Sequence, residues 1–416
     1  MKGCQSQVKR LKMFKAREIV ENMSEQELVD LVRDLIRIPS HAEAKGQENK
    51  IAHFLADKLE KEDVDVRLQE VEDDRFNVIG TIKGAGKGRS LILNGHLDTV
   101  PPSPQIIDPY HPRVRDGKLY GKGVADMKGA IGAMAYSLIV MKRSDITLDG
   151  DLTFTGVIGE ESPGHGGTGY LVEYGPKADM AIVGEPTDLK IVVAHKGVDR
   201  IKISIKGKAA HSSTPQRGVN AISKTAKFIR VVEEDLIPEL NKRKHNLLGS
   251  PTINIGLIKG GMNPNTVPDN CVVQIDRRWI PGESPSTIMR EFEDILNHLK
   301  GSDPEFKAEL ERMEYLKEIP HGPLETPEDH HIVRALKKSL RKMGLSPEIS
   351  GISGWTDAAL LSSQAKIPTV VFGPGNLAQA HSDVEFISID SLLTATKIYI
   401  LTALEVCTRN SATEGK

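Results

Sequence analysis

A chain of 416 residues exceeds the length at which a single core stops growing, so two domains are expected. Its 39% hydrophobic and 27% charged residues are those of an ordinary globular protein, and 55 basic against 57 acidic side chains leave a net charge of -2, which offers no global attraction for nucleic acid or an anionic membrane. Cys4, Cys271 and Cys407 lie far apart in no C-x-x-C spacing, which excludes a disulfide framework and a thiolate zinc site and fits a reducing, cytoplasmic compartment.

The first 23 residues are basic, with Lys2, Lys9, Arg10, Lys12, Lys15 and Arg17, but lack the apolar centre of a signal peptide, and no apolar run elsewhere is expected to span a bilayer. They read as an N-terminal extension. Ser24 with Glu27 forms a capping-box pattern ahead of Leu28, Leu31, Val32, Leu35 and Ile36, which predicts a helix. A second helical pattern covers Glu48 to Lys61. Short β-rich runs then alternate with helices, the pattern of an α/β layer with a largely parallel sheet. The runs Ser90 to Asp98, Asp151 to Glu161, Met180 to Pro186 and Thr369 to Gly375 are apolar strands that end in polar residues or glycine, and in open α/β sheets ligands gather at such strand ends. From 196 to 319 the order changes: strand Val198 to Lys206, helix Asn220 to Val232, strands Thr252 to Lys259 and Cys271 to Trp279, helix Pro285 to Leu299, strand Lys307 to Met313. This β-α-β-β-α-β order is ferredoxin-like, and it reads as a domain inserted between two parts of the first, 24–195 and 320–416.

Five imidazole or carboxylate side chains, His96, Asp126, Glu161, Glu185 and His381, stand at the ends of apolar runs or in glycine-rich turns. Such a set without thiolate suits zinc, manganese or cobalt in a catalytic site. In NGHLDTVPP (Asn94 to Pro102), His96 and Asp98 project to one side of an extended segment, so Asp98 can orient the imidazole of His96. GKGVADMKGA (Gly121 to Ala130) places Asp126 among glycines, where a carboxylate can approach two cations. In GEES (Gly159 to Ser162) adjacent residues face opposite sides, which assigns Glu161 to metal and Glu160 to proton transfer as general base and then acid. Taken singly, these are equally a surface H-x-D, a helix N-cap, a solvated acidic turn and a loop histidine. Their joint occurrence in this order points to a metal centre.

With these motifs the chain resembles the M20 metallopeptidase family, which includes acetylornithine deacetylase, succinyl-diaminopimelate desuccinylase, aminoacylase and glutamate carboxypeptidase, from about Ser24 to Glu405. The resemblance implies a di-zinc exopeptidase-like catalytic domain with an inserted dimerisation and lid domain. It implies two divalent ions, zinc first and cobalt or manganese as alternatives. His96 and Glu185 would hold one, Glu161 and His381 the other, with Asp126 bridging; Glu160 keeps its acid/base role. GKAAHSSTPQRGVNAI (Gly207 to Ile222) is similar to the family's lid segment, whose histidine, here His211, stabilises the oxyanion in the partner subunit's site, so a homodimer is implied. Without the family, His211 reads as a turn cap. Asn265, Arg278 and Gly375 are expected to contact substrate. The chain departs from the family in three places: Ala359 in GWTDAAL stands where desuccinylase-like members carry a substrate-binding arginine, Gly159 where an aspartate precedes the E-E pair, and Lys122 where an arginine is common.

The expected function is therefore hydrolysis of the amide bond of a small N-acyl amino acid or related N-acylated amine, with a metal-bridged hydroxide as the attacking group. A carboxypeptidase or dipeptidase of the same family is the alternative, and a non-catalytic scaffold on the same fold a third reading. Neither nucleic acid nor membrane is an expected partner.

Overall fold

In the computed structural model, which describes residues 18–144, 146–161, 166–313 and 321–408, Ser24 caps helix α1 (Glu25–Arg37), its hydroxyl accepting from the Glu27 N–H at 3.2 Å. The expected capping box is only half made. The Glu27 carboxylate turns instead to Tyr136 Oη (2.8 Å) and Arg143, while the Ser24 N–H donates to Tyr136 Oη. The predicted apolar positions of α1 are all buried, as are Ile51, Leu55 and Leu59 of α2 (Asn49–Glu60). Of the N-terminal extension, residues 1–17 lie outside the described residues.

Strands β1 (Asp65–Glu72) and β2 (Arg75–Ile82) form a hairpin, followed by β3 (Leu91–His96) and the short β4 (Arg113–Arg115) and β5 (Lys118–Tyr120). Helix α3 (Gly129–Arg143), β6 (Leu152–Val157), α4 (Gly166–Tyr174), β7 (Met180–Val183) and β8 (Ile191–His195) complete this part. The inserted segment contains β9 (Gly197–Lys206), α5 (Ala221–Val231), β10 (Thr252–Gly260), β11 (Asn270–Trp279), α6 (Pro285–Ser302) and β12 (Lys307–Arg312), and closes with β13 (Leu324–Glu325), which pairs with Ala194 and His195. The chain then continues through α7 (His331–Lys342), α8 (Ala358–Ser363), β14 (Thr369–Val371), β15 (Phe386–Ser388) and α9 (Ile389–Cys407).

Two compact units result. The first comprises the described residues up to Val193, Thr326–Ser350 and those from Thr356 onward; the second comprises the described residues of Ala194–Glu325 with Gly351–Trp355. The main sheet of the first unit runs β1-β2-β6-β3-β7-β14-β8. Its centre, β6, β3, β7 and β14, is parallel and wholly buried, which is why these strands read as continuous apolar runs. Because they are parallel, their carboxyl ends share one edge, and the order reverses around β3, the place where open α/β sheets bind ligands.

By length and composition the stretch Val124–Arg143 could cross a membrane, yet its apolar window is 94% buried inside the fold, so its apolar length belongs to a core helix.

In the second unit the sheet order β10-β11-β9-β12, antiparallel throughout, is the ferredoxin-like arrangement that the element order implies. Alternate residues Ile201, Ile203 and Ile205 of β9 and Cys271, Val273 and Ile275 of β11 face a core shared with Phe228 of α5 and Phe292 of α6. Phe228 is fully buried there, so Phe228→Ala is expected to cost about 3–5 kcal/mol through lost contacts and an unfilled cavity. Urea unfolding of the purified variant checks this, and a change under about 1 kcal/mol would mean the core collapses around the gap.

Candidate metal centre

His96 closes β3 and is 2% exposed. Its Nδ1 donates to the Asp98 carbonyl oxygen at 2.9 Å, since a carbonyl only accepts, and this turns Nε2 toward the carboxylates, where it would be the ligand once deprotonated. Nε2 lies 3.0 Å from Asp126 Oδ1 and 3.7 Å from Glu185 Oε1. The role expected of the Asp98 carboxylate is thus divided. Its Oδ1 stands 3.6 Å from His96 Nδ1, and its closer bonds are to the N–H groups of Glu160 (3.1 Å) and Glu161 (2.8 Å). Asp98 orients the histidine mainly through its backbone and the E-E turn through its side chain.

Asp126 sits in extended conformation between Gly123 and α3, with a cis peptide to Met127. The N-cap alternative fails, because the cap position of α3 is Lys128. One oxygen of Asp126 faces His96 and the other faces His381 Nε2 at 3.5 Å, a disposition that lets one carboxylate serve two cations. His381 also meets Glu161 Oε1 at 2.8 Å; it adopts a left-handed backbone (φ 57), uncommon for a non-glycine residue and often found at functional sites. Ligand atoms of His96, Asp126 and Glu161 lie within 4.8 Å of one another. The structure therefore brings together all five predicted ligands, and places Glu160 beside them.

The donor set fits cations electrostatically. Among the described residues no lysine or arginine forms an ion pair with Asp98, Asp126, Glu161 or Glu185; only the imidazoles do. Glu160, Glu185 and the imidazole of His381 respond by holding protons. Burial raises the Glu160 and Glu185 carboxyls well above the usual range, helped by neighbouring carboxylates and opposed by His96. Hydrogen bonds to Asp126 and Glu161 lift His381 to about 10. A divalent cation would relieve the same excess of negative charge.

Asp357 was not foreseen. It is 3% exposed, accepts from Thr168 Oγ1 at 2.7 Å, and burial pushes its carboxyl up to about 6; its charge is felt by both Glu160 and Glu185. The T-D pair in GWTDAAL was its only local signal. Gly375 has φ +83, its N–H facing Ser391 Oγ at 3.4 Å and its carbonyl accepting from Asp188.

The remaining predicted residues lie in the second unit. His211 Nδ1 accepts from the Ser213 N–H (3.2 Å) and lies 2.8 Å from its hydroxyl, so the turn-cap description is locally correct and the neutral ring carries its proton on Nε2. Asn265 belongs to the adjoining loop, its carbonyl accepting from Ser212 N–H at 3.0 Å. Arg278 forks onto Asp276 on its own strand, at 2.7 and 3.4 Å.

A parallel-sheet unit whose strand ends converge imidazoles and carboxylates, interrupted by a ferredoxin-like unit, defines a metal-dependent amide hydrolase. The chain belongs to peptidase family M20/M25/M40, whose model matches residues 92–405. It is 29% identical to a probable succinyl-diaminopimelate desuccinylase of Staphylococcus epidermidis, over 91% of this chain and 97% of that one. It is 32% identical to an acetylornithine deacetylase of Proteus mirabilis, over 87% and 92%. Among solved structures it is similar to a tripeptidase of Staphylococcus aureus, with a TM-score of 0.76 at 26% identity over 92% of this chain and 99% of the other.

Because Asp98 holds both a histidine and the E-E turn, Asp98→Asn is expected to weaken metal affinity by about 10–100-fold, the usual cost of losing a ligand-orienting group. Competition for zinc with a chelator of known affinity measures it; unchanged affinity would separate Asp98 from the metal centre.

Proposed function

We propose that this enzyme is a deacylase that hydrolyses the amide bond of a small N-acyl amino acid or related N-acylated amine. The observation that carries the reading is the convergence of His96, Asp126, Glu161, Glu185 and His381 without a basic partner. His96 and Glu185 would hold one cation and Glu161 and His381 the second, with Asp126 placed to serve both. We assign zinc, with cobalt and manganese as alternatives that the same donors accept. Bound there, the ions supply Lewis-acid polarisation of the amide carbonyl and a lowered pKa for water. Glu160 takes a proton from the attacking water and returns it to the departing amine, a role suited by a carboxyl that burial holds above its ordinary range. The acyl group is read as small and uncharged. Ala359 is fully buried in α8, so the arginine that would pair a succinyl carboxylate is not supplied at that position. Asn265, Arg278 and Gly375 are assigned to the substrate's remaining polar groups.

His211 is assigned to the partner subunit's site, where its Nε2–H donates to the developing oxyanion. Support for a homodimer comes from β10, a sheet edge on which Leu257 and Ile258 are about half exposed, with Ile222 and the 96% exposed Met262 nearby. The free, buried thiols of Cys271 and Cys407 fit a cytoplasmic location. The similarity to a tripeptidase favours peptide hydrolysis as the second reading.

Metal content together with a screen of N-acetyl and N-formyl amino acids against di- and tripeptides tests the proposal; turnover of peptides alone would replace it with the second reading. Glu160→Ala is expected to retain metal and lose about 10²–10⁴-fold in kcat. Mixing this variant with His211→Ala is expected to restore part of the activity, since one site of the mixed dimer is then intact. No recovery would place His211 in its own subunit's site or outside catalysis.

A further inference from the structure

The turn that presents Glu160 and Glu161 is held in an unusual way. Four successive backbone N–H groups donate to side chains from distant parts of the chain: Ile158 to Asn77 Oδ1 (3.1 Å), Gly159 to Glu48 Oε1 (3.2 Å), Glu160 to Asp98 Oδ1 (3.1 Å) and Glu161 to Asp98 Oδ2 (2.8 Å). Three of these acceptor atoms are carboxylate oxygens, whose bonds to N–H groups are stronger than neutral ones. Glu48 belongs to no motif of the site. It occupies the N-cap position of α2 yet makes no capping bond with its side chain. Its 1% exposed carboxylate is gripped by Arg75, with Nε to Oε2 at 2.9 Å and Nη2 to Oε1 at 2.7 Å, and Arg75 is anchored further by Glu72 at 2.5 Å. A buried ion pair of this kind contributes little net stability, but it fixes a charged acceptor in place.

The residue it holds is Gly159, which lies in the left-handed region at φ +71 immediately before Glu160. A side chain added there would meet Arg75 Nη2 at 3.5 Å but would be strained by the left-handed backbone, which favours glycine. The carboxylate that a longer residue 159 could direct at Arg75 is supplied instead by Glu48, from the other end of the unit's sequence.

We propose that Glu48, locked by Arg75, is a positioning residue for Glu160: it fixes the Gly159 amide and with it the direction in which the next side chain leaves the turn. This rests on the reading of Glu160 as the base. The alternative is an ion pair that only joins α2 to β2, and the two differ in what they predict for kcat at constant stability.

In the metal-loaded enzyme Glu48→Ala is expected to lower kcat by about 10²-fold, the size of effect a 1 Å misplacement produces, with KM and metal content within about twofold of wild type. Amide hydrogen exchange at 158–161, followed by mass spectrometry, is expected to accelerate. Wild-type kcat and exchange in Glu48→Ala, or a loss shared by KM or metal content, would each overturn the proposal. Should Glu48→Ala not fold, Glu48→Gln replaces it; it keeps an oxygen for Gly159 but loses the charge opposite Arg75. A kcat about tenfold lower at unchanged KM supports the proposal, and wild-type kcat overturns it. Glu160→Ala run in parallel keeps the two readings apart, because residual turnover there removes the base assignment while the exchange data report on the clamp directly.

Discussion

Unneutralised negative charge at one edge of a parallel sheet is the constraint around which the first unit is built. Asp98, Asp126, Glu160, Glu161, Glu185 and Asp357 are gathered there, and among the described residues the ion pairs of Asp98, Asp126, Glu161 and Glu185 are with two imidazoles. Taking such groups out of water costs several kcal/mol each unless a cation or proton compensates. The fold bears that cost by making everything beneath the site rigid and apolar: four buried strands that stop at one level, and a core helix whose composition would suit a lipid bilayer. Above them, hydrogen bonds from remote side chains fix the loops that the strands release.

Much of this was legible in the sequence, because a parallel strand buried on both faces writes itself as a continuous apolar run and a ligand then follows at its end. His96, Glu161 and Glu185 could be placed on that rule, and the inserted unit on the order of its elements. The illegible parts are those in which partners are far apart in the chain. Nothing local in Glu48, Asn77 or Arg75 says that they close on the 158–161 turn, and Glu27 carried a local capping signal that Tyr136 and Arg143 outbid. Asp98 shows both limits at once: its spacing from His96 gave the pairing, but the better part of its carboxylate is spent on two amides more than sixty residues away.

The departures from the family pattern are also explained by distant partners. Lys122, where an arginine is common, finds its acceptor in Glu385 at 2.5 Å, both nearly fully buried, so the loop leading to Asp126 is tied to the strand that follows His381. A lysine suits a single carboxylate oxygen, as here, whereas a guanidinium would demand two. Gly159 takes a left-handed backbone, which favours glycine, and its N–H is met by the carboxylate of Glu48. Ala359 packs in a short helix immediately after Asp357, so in this chain the segment contributes a buried acid and apolar filling rather than a base.

Finally, the longer segment of the second unit begins and ends at paired positions: Ala194 lies opposite Glu325, and His195 opposite Leu324, in adjacent antiparallel strands. To the first unit, more than a hundred intervening residues are topologically a hairpin turn. Closing that loop asks little of the sheet, since the two strands would be neighbours whether the connection were long or short. The insertion thus leaves undisturbed the register of the strands whose ends carry candidate metal ligands.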